Sequence, residues 1–295
     1  MPRSDATAAY LHRLGIDPHA ALPPTLETLG ALHRAHLDAV PYENLGIMLA
    51  NQERGRPPSV DPADSLARIG ERGRAGYCFH QNGALGRALD ELGFEVGRRH
   101  GHVYGSEEER RHDTSLNHLV LVVDGLPTEA NPTGRWWVDV GLGDAFRDPL
   151  PVLVGHYDQA GFDYEITEVR DDGWSFRHDR AGSFTGVEIS SRSTERSVIE
   201  AAHASLSTPP DGRFAKLVVV QRRDDTGVDI VRGCLWHRIE ADGRTETELA
   251  TYDEWLAALV VGTRVSLDDL DDAGLRALYD DQRVKHEAWS AAGRP

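Results

Sequence analysis

Cysteine is scarce in this sequence, with only two among 295 residues, and long apolar runs are missing altogether. Two cysteines cannot form a disulfide framework, which favours a reducing compartment. No apolar run approaches the roughly 20 residues that cross a bilayer, and the first residues lack the apolar core of a secretory signal. The sequence therefore predicts a cytoplasmic protein without a membrane partner.

Positive charge is also in deficit, since 32 Lys and Arg residues face 48 Asp and Glu residues for a net charge of −16. Nonspecific binding to nucleic acid needs a basic face, so we expect no nucleic-acid partner. Hydrophobic residues make up 40% and charged residues 27% of the chain, which is typical of a globular protein with a sizeable core. A local group of arginines can still bind phosphate within such an acidic chain.

Hydrophobic spacing divides the chain into three parts. Residues 1–95 contain mainly helical patterns, residues 96–195 contain short strand-like runs separated by turn residues, and residues 196–295 mix both. The runs in the middle part favour an antiparallel sheet or barrel. We therefore predict an α+β fold with a helical domain, a β-barrel domain and a smaller α/β lid domain over these three ranges.

Cys78 is the strongest candidate for a chemical role. It lies between Gly76 and a predicted helix over residues 82–92, and the start of a helix stabilises a thiolate through its dipole and free N–H groups. His118 and Asp139 follow on two apolar, β-branched runs, where strands hold side chains rigidly. Cys, His and Asp are the residue types of a nucleophile, its base and the group that orients the base.

Each of these residues also has a plain structural interpretation. A single buried cysteine is usually a small core residue, and a histidine in an apolar strand is usually satisfied within the core. Spacing alone does not show that the three side chains meet. Cys234 is predicted to be a core residue of another strand. The run His100-Gly101-His102 is predicted to be a solvated loop, and no metal site is predicted.

Four segments carry a family resemblance. Residues 74–82, RAGYCFHQN, are similar to the pattern Arg-Gly-Gly-x-Cys-x-Glu-x-Asn, and residues 41–45, PYENL, to Pro-Phe-Glu-Asn-Leu. Residues 139–143, DVGLG, are similar to Asp-Val-Gly-Phe-Gly, and residues 207–214 to a late Ser-Thr-x-Pro-x-Ser-x-Phe pattern. These segments follow one another along the chain in the same order as in the arylamine N-acetyltransferases and cover most of it, so the chain resembles that family.

The resemblance implies both a fold and a reaction. The implied fold is a helical bundle, an antiparallel β-barrel and an α/β lid around a core like that of cysteine proteases. No cofactor is bound permanently, and acetyl-CoA, or another acyl thioester, is the implied co-substrate. A small-molecule arylamine, arylhydroxylamine or hydrazine is the implied acceptor. The acetyl group would reach it through an S-acyl-Cys78 intermediate in a two-step, ping-pong reaction.

The resemblance also implies roles for residues outside the triad. The implied donor-binding residues are Thr208, Pro210 and Gly212. The implied acceptor pocket contains Tyr42, Phe79, Leu142 and Phe214. Glu43 and Arg74 are implied to form an ion pair that holds the Cys78 loop. The loss of one partner of such a buried pair costs roughly 3–5 kcal/mol.

Several residues depart from the family pattern. Ala75 replaces a motif glycine and would be strained if its φ were positive. His80 replaces the motif glutamate, and we expect its ring to point into solvent. Leu142 replaces an aromatic residue of the acceptor pocket, and His203 and Gly212 change the implied CoA region.

These departures leave two alternatives open. Some relatives of the family are amide synthases of antibiotic pathways, and altered donor and acceptor contacts would suit an acyl chain delivered by an acyl-carrier protein. A non-catalytic ligand-binding homologue on the same fold is the other alternative. Thiol reactivity separates it from the enzymes, because a nucleophilic Cys78 reacts with iodoacetamide faster at neutral pH than a free thiol does.

Overall fold

A computed structural model describes residues 3–294, which form helices, two sheets and short connecting turns. The helices are α1 (Asp5–Arg13), α2 (Leu26–Ala39), α3 (Leu45–Gln52), α4 (Pro62–Arg72), α5 (Cys78–Glu91), α6 (Glu107–His112), α7 (Arg196–Ser207), α8 (Tyr252–Ala257) and α9 (Asp272–Ala291), with a 3-10 turn at Arg213–Ala215 and a π turn at Ala258–Gly262. None of the described helices is long and apolar enough to cross a membrane. A cytoplasmic location stays a prediction.

The strands alternate with short turns. They are β1 (Tyr42–Glu43), β2 (Glu95–Tyr104), β3 (His118–Asp124), β4 (Trp136–Val138), β5 (Leu150–Pro151), β6 (Gly155–Gln159), β7 (Phe162–Arg170), β8 (Gly173–Arg177), β9 (Gly186–Ser193), β10 (Val219–Arg223), β11 (Gly227–Arg232), β12 (Leu235–Glu240) and β13 (Gly243–Glu248). Every neighbouring pair of these strands is antiparallel.

Local sequence signals set the ends of α4, the helix that leads into the nucleophile turn. It begins at Pro62 after Asp61, whose carboxylate accepts hydrogen bonds from two backbone N–H groups of the first turn. It ends before Gly73, whose φ of 71° lies in the left-handed region that glycine adopts most easily. The chain then turns into the buried helix α5, which packs against α4 and β3.

Eight strands form the larger sheet, in the order β5-β4-β3-β2-β9-β8-β7-β6, and close into a nearly complete barrel. Strand β3 is buried on both faces. Leu121 and Val123 join the apolar core of the helical part, while Val120 and Val122 join the core inside the barrel. This alternation follows from the two-residue period of a strand, and it places β3 between the two cores.

The smaller sheet has the order β1-β10-β11-β12-β13. Its edge strand β1 comes from the helical part of the chain, so that Tyr42 pairs with Gln221 and Glu43 with Val220. Helices α3, α8 and α9 cover this sheet with an apolar core of their own. Strand β1 therefore joins the first part of the chain to the last.

The predicted fold class is confirmed, because helical, barrel and mixed parts follow one another in the predicted order. The domain boundaries stay predictions. The solvated loop predicted at His100-Gly101-His102 is wrong: this run lies in β2 between β3 and β9, and His102 is only 3% exposed. The polar residues of this run did not indicate a strand, because its burial comes from the two neighbouring strands, β3 and β9. Cys234 is buried in the core of the smaller sheet.

Candidate active site

Cys78 is the first residue of α5, directly after Tyr77 at the N-cap. Tyr77 offers no side-chain cap, so the dipole and the first N–H groups of the helix act on the thiol. The residue is 2% exposed, and its sulfur lies 3.7 Å from the carbonyl oxygen of Asn117. The thiol is therefore enclosed at the positive end of a buried helix, as the sequence predicts.

The turn before the nucleophile requires one of its two small residues to be glycine. Gly76 has a φ of 132°, and a Cβ at this position would overlap Nδ1 of His80. Ala75 does not lie in the left-handed region. The alanine that replaces a motif glycine is therefore free of the strain that a positive φ would cause.

His118 begins β3, and Asp139 follows β4, the next strand of the barrel. Nε2 of His118 donates to Oδ2 of Asp139 at 2.7 Å, and both side chains are buried. Burial disfavours the imidazolium, but the carboxylate and the neighbouring Cys78 thiol raise the pKa of His118 to about 10. Because Asp139 occupies Nε2, Nδ1 is the nitrogen left for the thiol. The structure thus brings the three predicted triad residues together.

Four donors surround the carboxylate of Asp139. Oδ2 accepts a second hydrogen bond from Nε1 of Trp137 at 3.2 Å, besides that from His118. Oδ1 accepts from Nδ2 of Asn82 at 2.8 Å and from the backbone N–H of Gly141 at 2.9 Å. Both oxygens are therefore satisfied, and the carboxylate is held in one orientation toward the imidazole.

Asn82 links three parts of this site. It lies one turn after Cys78 on α5, and its Nδ2 also donates to the carbonyl of Leu119 at 2.6 Å. Its Oδ1 accepts from the backbone N–H of Val140 at 2.9 Å. One side chain thereby ties the nucleophile helix to the strand of the histidine and to the loop of the aspartate. The sequence identified Asn82 only as a motif position.

His33, on α2, supports the same loop. Its Nδ1 lies 2.6 Å from the carbonyl oxygen of Arg147, and its Nε2 lies 3.0 Å from the carbonyl oxygen and 3.2 Å from the backbone nitrogen of Asp139. Burial lowers the pKa of His33 and so favours the neutral ring, in which one nitrogen donates and the other accepts. Sequence reasoning missed this residue, because its partners lie 114 and 106 residues away.

Cys78 and His118 line a cavity of about 250 Å³. Three of the four residues predicted for the acceptor pocket border it, namely Tyr42, Leu142 and Phe214. Phe79 does not: it is fully buried and borders a separate cavity of about 150 Å³. Successive residues of a helix point about 100° apart, so Phe79 faces away from the cavity that its neighbour Cys78 lines.

Three residues predicted to bind the donor do not border the cavity: Thr208, Pro210 and Gly212. The first two are exposed, and the third precedes the 3-10 turn. Their neighbours Arg213, Phe214 and Lys216 border the cavity instead. The late motif therefore reaches the site through the residues that follow those predicted, and donor binding by the three stays a prediction.

Glu43 and Arg74 are both buried, with Nη1 of Arg74 3.8 Å from Oε1 of Glu43. Arg74 has a closer partner in Asp269, whose two carboxylate oxygens accept from Nη2 at 2.8 and 2.7 Å. Oε2 of Glu43 accepts from the backbone N–H of Leu45 at 2.6 Å. The predicted ion pair thus belongs to a larger group. Asp269 was not predictable, since it lies 195 residues from Arg74.

The expectation that His80 points into solvent is wrong. Its ring is fully buried and packs against Tyr77 and His203, with Nε2 3.2 Å from the carbonyl oxygen of Pro58. Burial, together with the positive charge of Arg68, lowers the pKa of His80 well below its ordinary value. The residue that replaces the motif glutamate is therefore a neutral ring inside the protein.

Comparisons with known proteins place this geometry in a family. A model of the N-acetyltransferase family matches residues 25–271. The chain belongs to the arylamine N-acetyltransferase family. It is 36% identical over 166 residues to an arylamine N-acetyltransferase of Mycolicibacterium smegmatis, covering 55% of this chain and 56% of the relative. It is 28% identical over 179 residues to proansamycin X synthase of Amycolatopsis mediterranei, covering 60% and 62%.

Family members of known structure share the fold over nearly the whole chain. An M. smegmatis arylamine N-acetyltransferase superposes with a TM-score of 0.81 at 26% identity, covering 94% of this chain and 100% of the other. A Mycobacterium marinum arylamine N-acetyltransferase in complex with CoA superposes with a TM-score of 0.80 at 23% identity, covering 93% and 98%. The sequence alignments to the curated family members, in contrast, span only 56% and 62% of their lengths.

Proposed function

We propose that this chain transfers an acetyl group from acetyl-CoA to a small-molecule arylamine, arylhydroxylamine or hydrazine through an S-acetyl-Cys78 intermediate. The observation that carries the proposal is the grouping of Cys78, His118 and Asp139, the first two of which line one cavity. Family membership supports the reaction type. A donor of this kind is consistent with the CoA complex of the M. marinum enzyme, which has the same fold.

The first step forms the acyl-enzyme. Nδ1 of His118 takes the proton of Cys78, and the thiolate attacks the thioester carbonyl of the donor. The new C–S bond forms on Cys78, the C–S bond to CoA breaks, and CoA leaves with the proton that the imidazolium returns. Asp139 keeps Nε2 of His118 protonated and stabilises the imidazolium, which the raised pKa of His118 favours.

Acyl transfer to the acceptor is the second step. The lone pair of the amine attacks the S-acetyl carbonyl, and His118 accepts a proton from the nitrogen. The C–N bond forms, the C–S bond to Cys78 breaks, and the thiolate–imidazolium pair is restored. The product is an amide, and the enzyme is ready for another donor.

Intact-protein mass spectrometry after mixing with acetyl-CoA, without an acceptor, tests the first step. Wild-type protein should gain one acetyl group, and Cys78→Ala should gain none. If wild type gains none while iodoacetamide still alkylates Cys78 rapidly, acetyl-CoA is the wrong donor. If Cys78 is also inert to iodoacetamide, the proposal of an enzyme fails and the non-catalytic alternative is favoured.

An amide synthase or acyltransferase of a natural-product pathway is the second candidate function. The similarity to proansamycin X synthase favours it, although the identity is lower than that to the M. smegmatis acetyltransferase. The donor would then be a larger acyl thioester, carried by an acyl-carrier protein. Parallel acylation of Cys78 with acetyl-CoA and with an acyl-carrier protein distinguishes the two, since acylation by the carrier-bound donor alone selects this second candidate.

A further inference from the structure

One wall of the active-site cavity carries positive charge that no carboxylate of the described chain neutralises. Arg213, Lys216 and Arg232, here called the cationic wall, line the cavity. Their side chains form no hydrogen bond and no ion pair with any residue between positions 3 and 294. None of the described residues that line the cavity is acidic. The chain has a net charge of −16, so the cationic wall is a positively charged region on an otherwise acidic protein.

Asp144 and Glu43, the two carboxylates that act electrostatically on the cavity residue Tyr42, are engaged elsewhere. Oδ2 of Asp144 accepts from the backbone N–H of Ser183 at 2.6 Å, and its Oδ1 lies 3.4 Å from Nε2 of His178. Glu43 accepts from the backbone N–H of Leu45 and faces Arg74. Neither carboxylate is therefore available to the cationic wall.

Strand pairing explains why Arg232 faces the cavity, whereas Arg213 and Lys216 lie in the 3-10 turn and directly after it. Val219 and Gln221 are two residues apart on β10, and both line the cavity. Arg232 on β11 pairs directly with Val219, and Tyr42 on β1 pairs with Gln221. Residues two apart on a strand and residues paired across strands share one face of a sheet. One face of the smaller sheet thus presents Arg232, Gln221 and Tyr42 to the cavity.

Gln221 adds an uncharged donor to this face. It is 7% exposed, and its side-chain amide makes no hydrogen bond with the described residues. Gly143 leaves room for it, because a Cβ there would overlap Oε1 of Gln221. A buried amide that lines a cavity without a protein partner is available to hydrogen-bond a substrate.

We propose that the cationic wall and Gln221 bind a carboxylate of the acyl acceptor, so that amines carrying a carboxylate are preferred over neutral amines. This inference rests on the proposed acyl transfer and concerns its second step. Arg213 acts electrostatically on both Arg232 and Tyr42, and Tyr42 is a close neighbour of Cys78. The charge therefore acts near the acyl-enzyme, whereas the phosphates of CoA lie at the far end of the long pantetheine arm.

The experiment isolates the second step. p-Nitrophenyl acetate, which carries no phosphate, loads Cys78, and kcat/KM is measured with 4-aminobenzoate and with its neutral methyl ester. Arg232→Gln should lower the acid-to-ester ratio of kcat/KM about tenfold, because a charge-assisted hydrogen bond is lost. The different nucleophilicities of the two amines cancel when this ratio is compared between wild type and variant. Arg192→Gln, at an exposed arginine outside the cavity, should leave the ratio unchanged.

The possible outcomes are distinct. An unchanged ratio in Arg213→Gln, Lys216→Gln and Arg232→Gln overturns the inference. A loss that appears only when acetyl-CoA replaces p-nitrophenyl acetate shows that the wall binds donor phosphates, and it overturns the inference as well. If neither donor acylates Cys78, the proposed function fails first, and the inference fails with it.

Discussion

Single side chains keep the carboxylate of Asp139 pointed at His118. Among its four donors, Asn82 is the one that also bonds β3 and the loop after β4. It lies on the same helix as Cys78, so it relates the nucleophile to the base without being part of the proton transfer. Asn82 is therefore a positioning residue whose effect passes through Asp139.

We expect Asn82→Ala to lower kcat/KM for acetyl transfer about 100-fold, because a small misplacement of the base reduces the fraction of productive geometries. The pH profile of Cys78 acylation should also shift, since Asp139 is a main cause of the raised pKa of His118. Asn131→Ala is the matched control: it removes another fully buried amide, which donates to the carbonyl of Arg135. It should lose stability but keep the pH profile. Similar shifts in both variants would contradict the role of Asn82.

His203 makes the free energy of unfolding depend on pH. Burial, with a contribution from the charge of Arg68, lowers the pKa of His203 to about 4, against an ordinary value of roughly 6.5 in the unfolded chain. The unfolded chain therefore binds a proton over a pH range in which the folded chain does not. The contribution of neutral His203 to the free energy of unfolding is therefore fully present above about pH 6.5 and decreases as the pH falls toward 4.

For wild type, His203 should account for a loss of about 2 kcal/mol in the free energy of unfolding between pH 7 and pH 5. Urea unfolding at both pH values measures it. His203→Gln should lose correspondingly less between the two pH values, because glutamine does not titrate. The exposed His19→Gln serves as control and should follow wild type. Equal losses in wild type and His203→Gln would remove His203 as the cause.

Between elements, the loop after β4 lies in close contact with the start of α5. A Cβ at Gly141 would lie 2.7 Å from Cα of Cys78 and 3.0 Å from its Cβ. The φ of Gly141 lies outside the left-handed region, so glycine is needed here for space and not for backbone conformation. The loop that carries Asp139 reaches the nucleophile because this residue has no side chain.

Gly141→Ala should push this loop away from α5, with a loss of about 1–3 kcal/mol in the free energy of unfolding. The rate of Cys78 acylation should fall as well, since Asp139 moves with the loop. Thermal unfolding and time-resolved mass spectrometry measure the two effects. In Gly243→Ala the added Cβ would meet nothing within 4 Å, and neither quantity should change. A wild-type acylation rate in Gly141→Ala would show that the loop tolerates the displacement.

Over the whole molecule, the cavity combines all three parts of the chain. Cys78 comes from the helical part, His118 from the barrel and Gln221 from the smaller sheet. The last part of the chain also reaches behind the nucleophile turn, where Asp269, in the segment before α9, binds Arg74 through both oxygens. The geometry of the nucleophile thus depends on contacts made by the end of the chain.

Asp269→Asn should lower the free energy of unfolding by about 1–2 kcal/mol, because the buried guanidinium of Arg74 loses its charged acceptor and retains Glu43 only at 3.8 Å. Denaturant unfolding measures this loss, and slower acylation of Cys78 should accompany it. The neighbouring Asp268 is exposed, and among the described residues its carboxylate accepts a hydrogen bond only from the hydroxyl of Ser266. Asp268→Asn should therefore match wild type. An Asp269→Asn protein with full stability would mean that solvent replaces this ion pair.

Local patterns in the sequence determined the fold class and the candidate triad. The change from helical to two-residue spacing is visible without coordinates, because each element buries one face with its own period. Local patterns also placed Cys78 at a helix start and His118 on a strand, whereas Asp139, expected on a strand, directly follows the end of β4. Such signals are short-range. They can be read from the sequence because each strand and helix needs them in order to form.

Only the tertiary structure decided which residues surround the triad. Asn82 and His33 reach Asp139 across 57 and 106 residues, so no local period could have paired them. His80 is buried because the ring of His203, more than 100 residues away on α7, packs against it beside Tyr77. Arg232 joins the cationic wall because β1, β10 and β11 pair in one register, which turns it to the same face as Gln221 and Tyr42. Contacts of this kind depend on how elements pack, and hydrophobic spacing carries no information about packing partners.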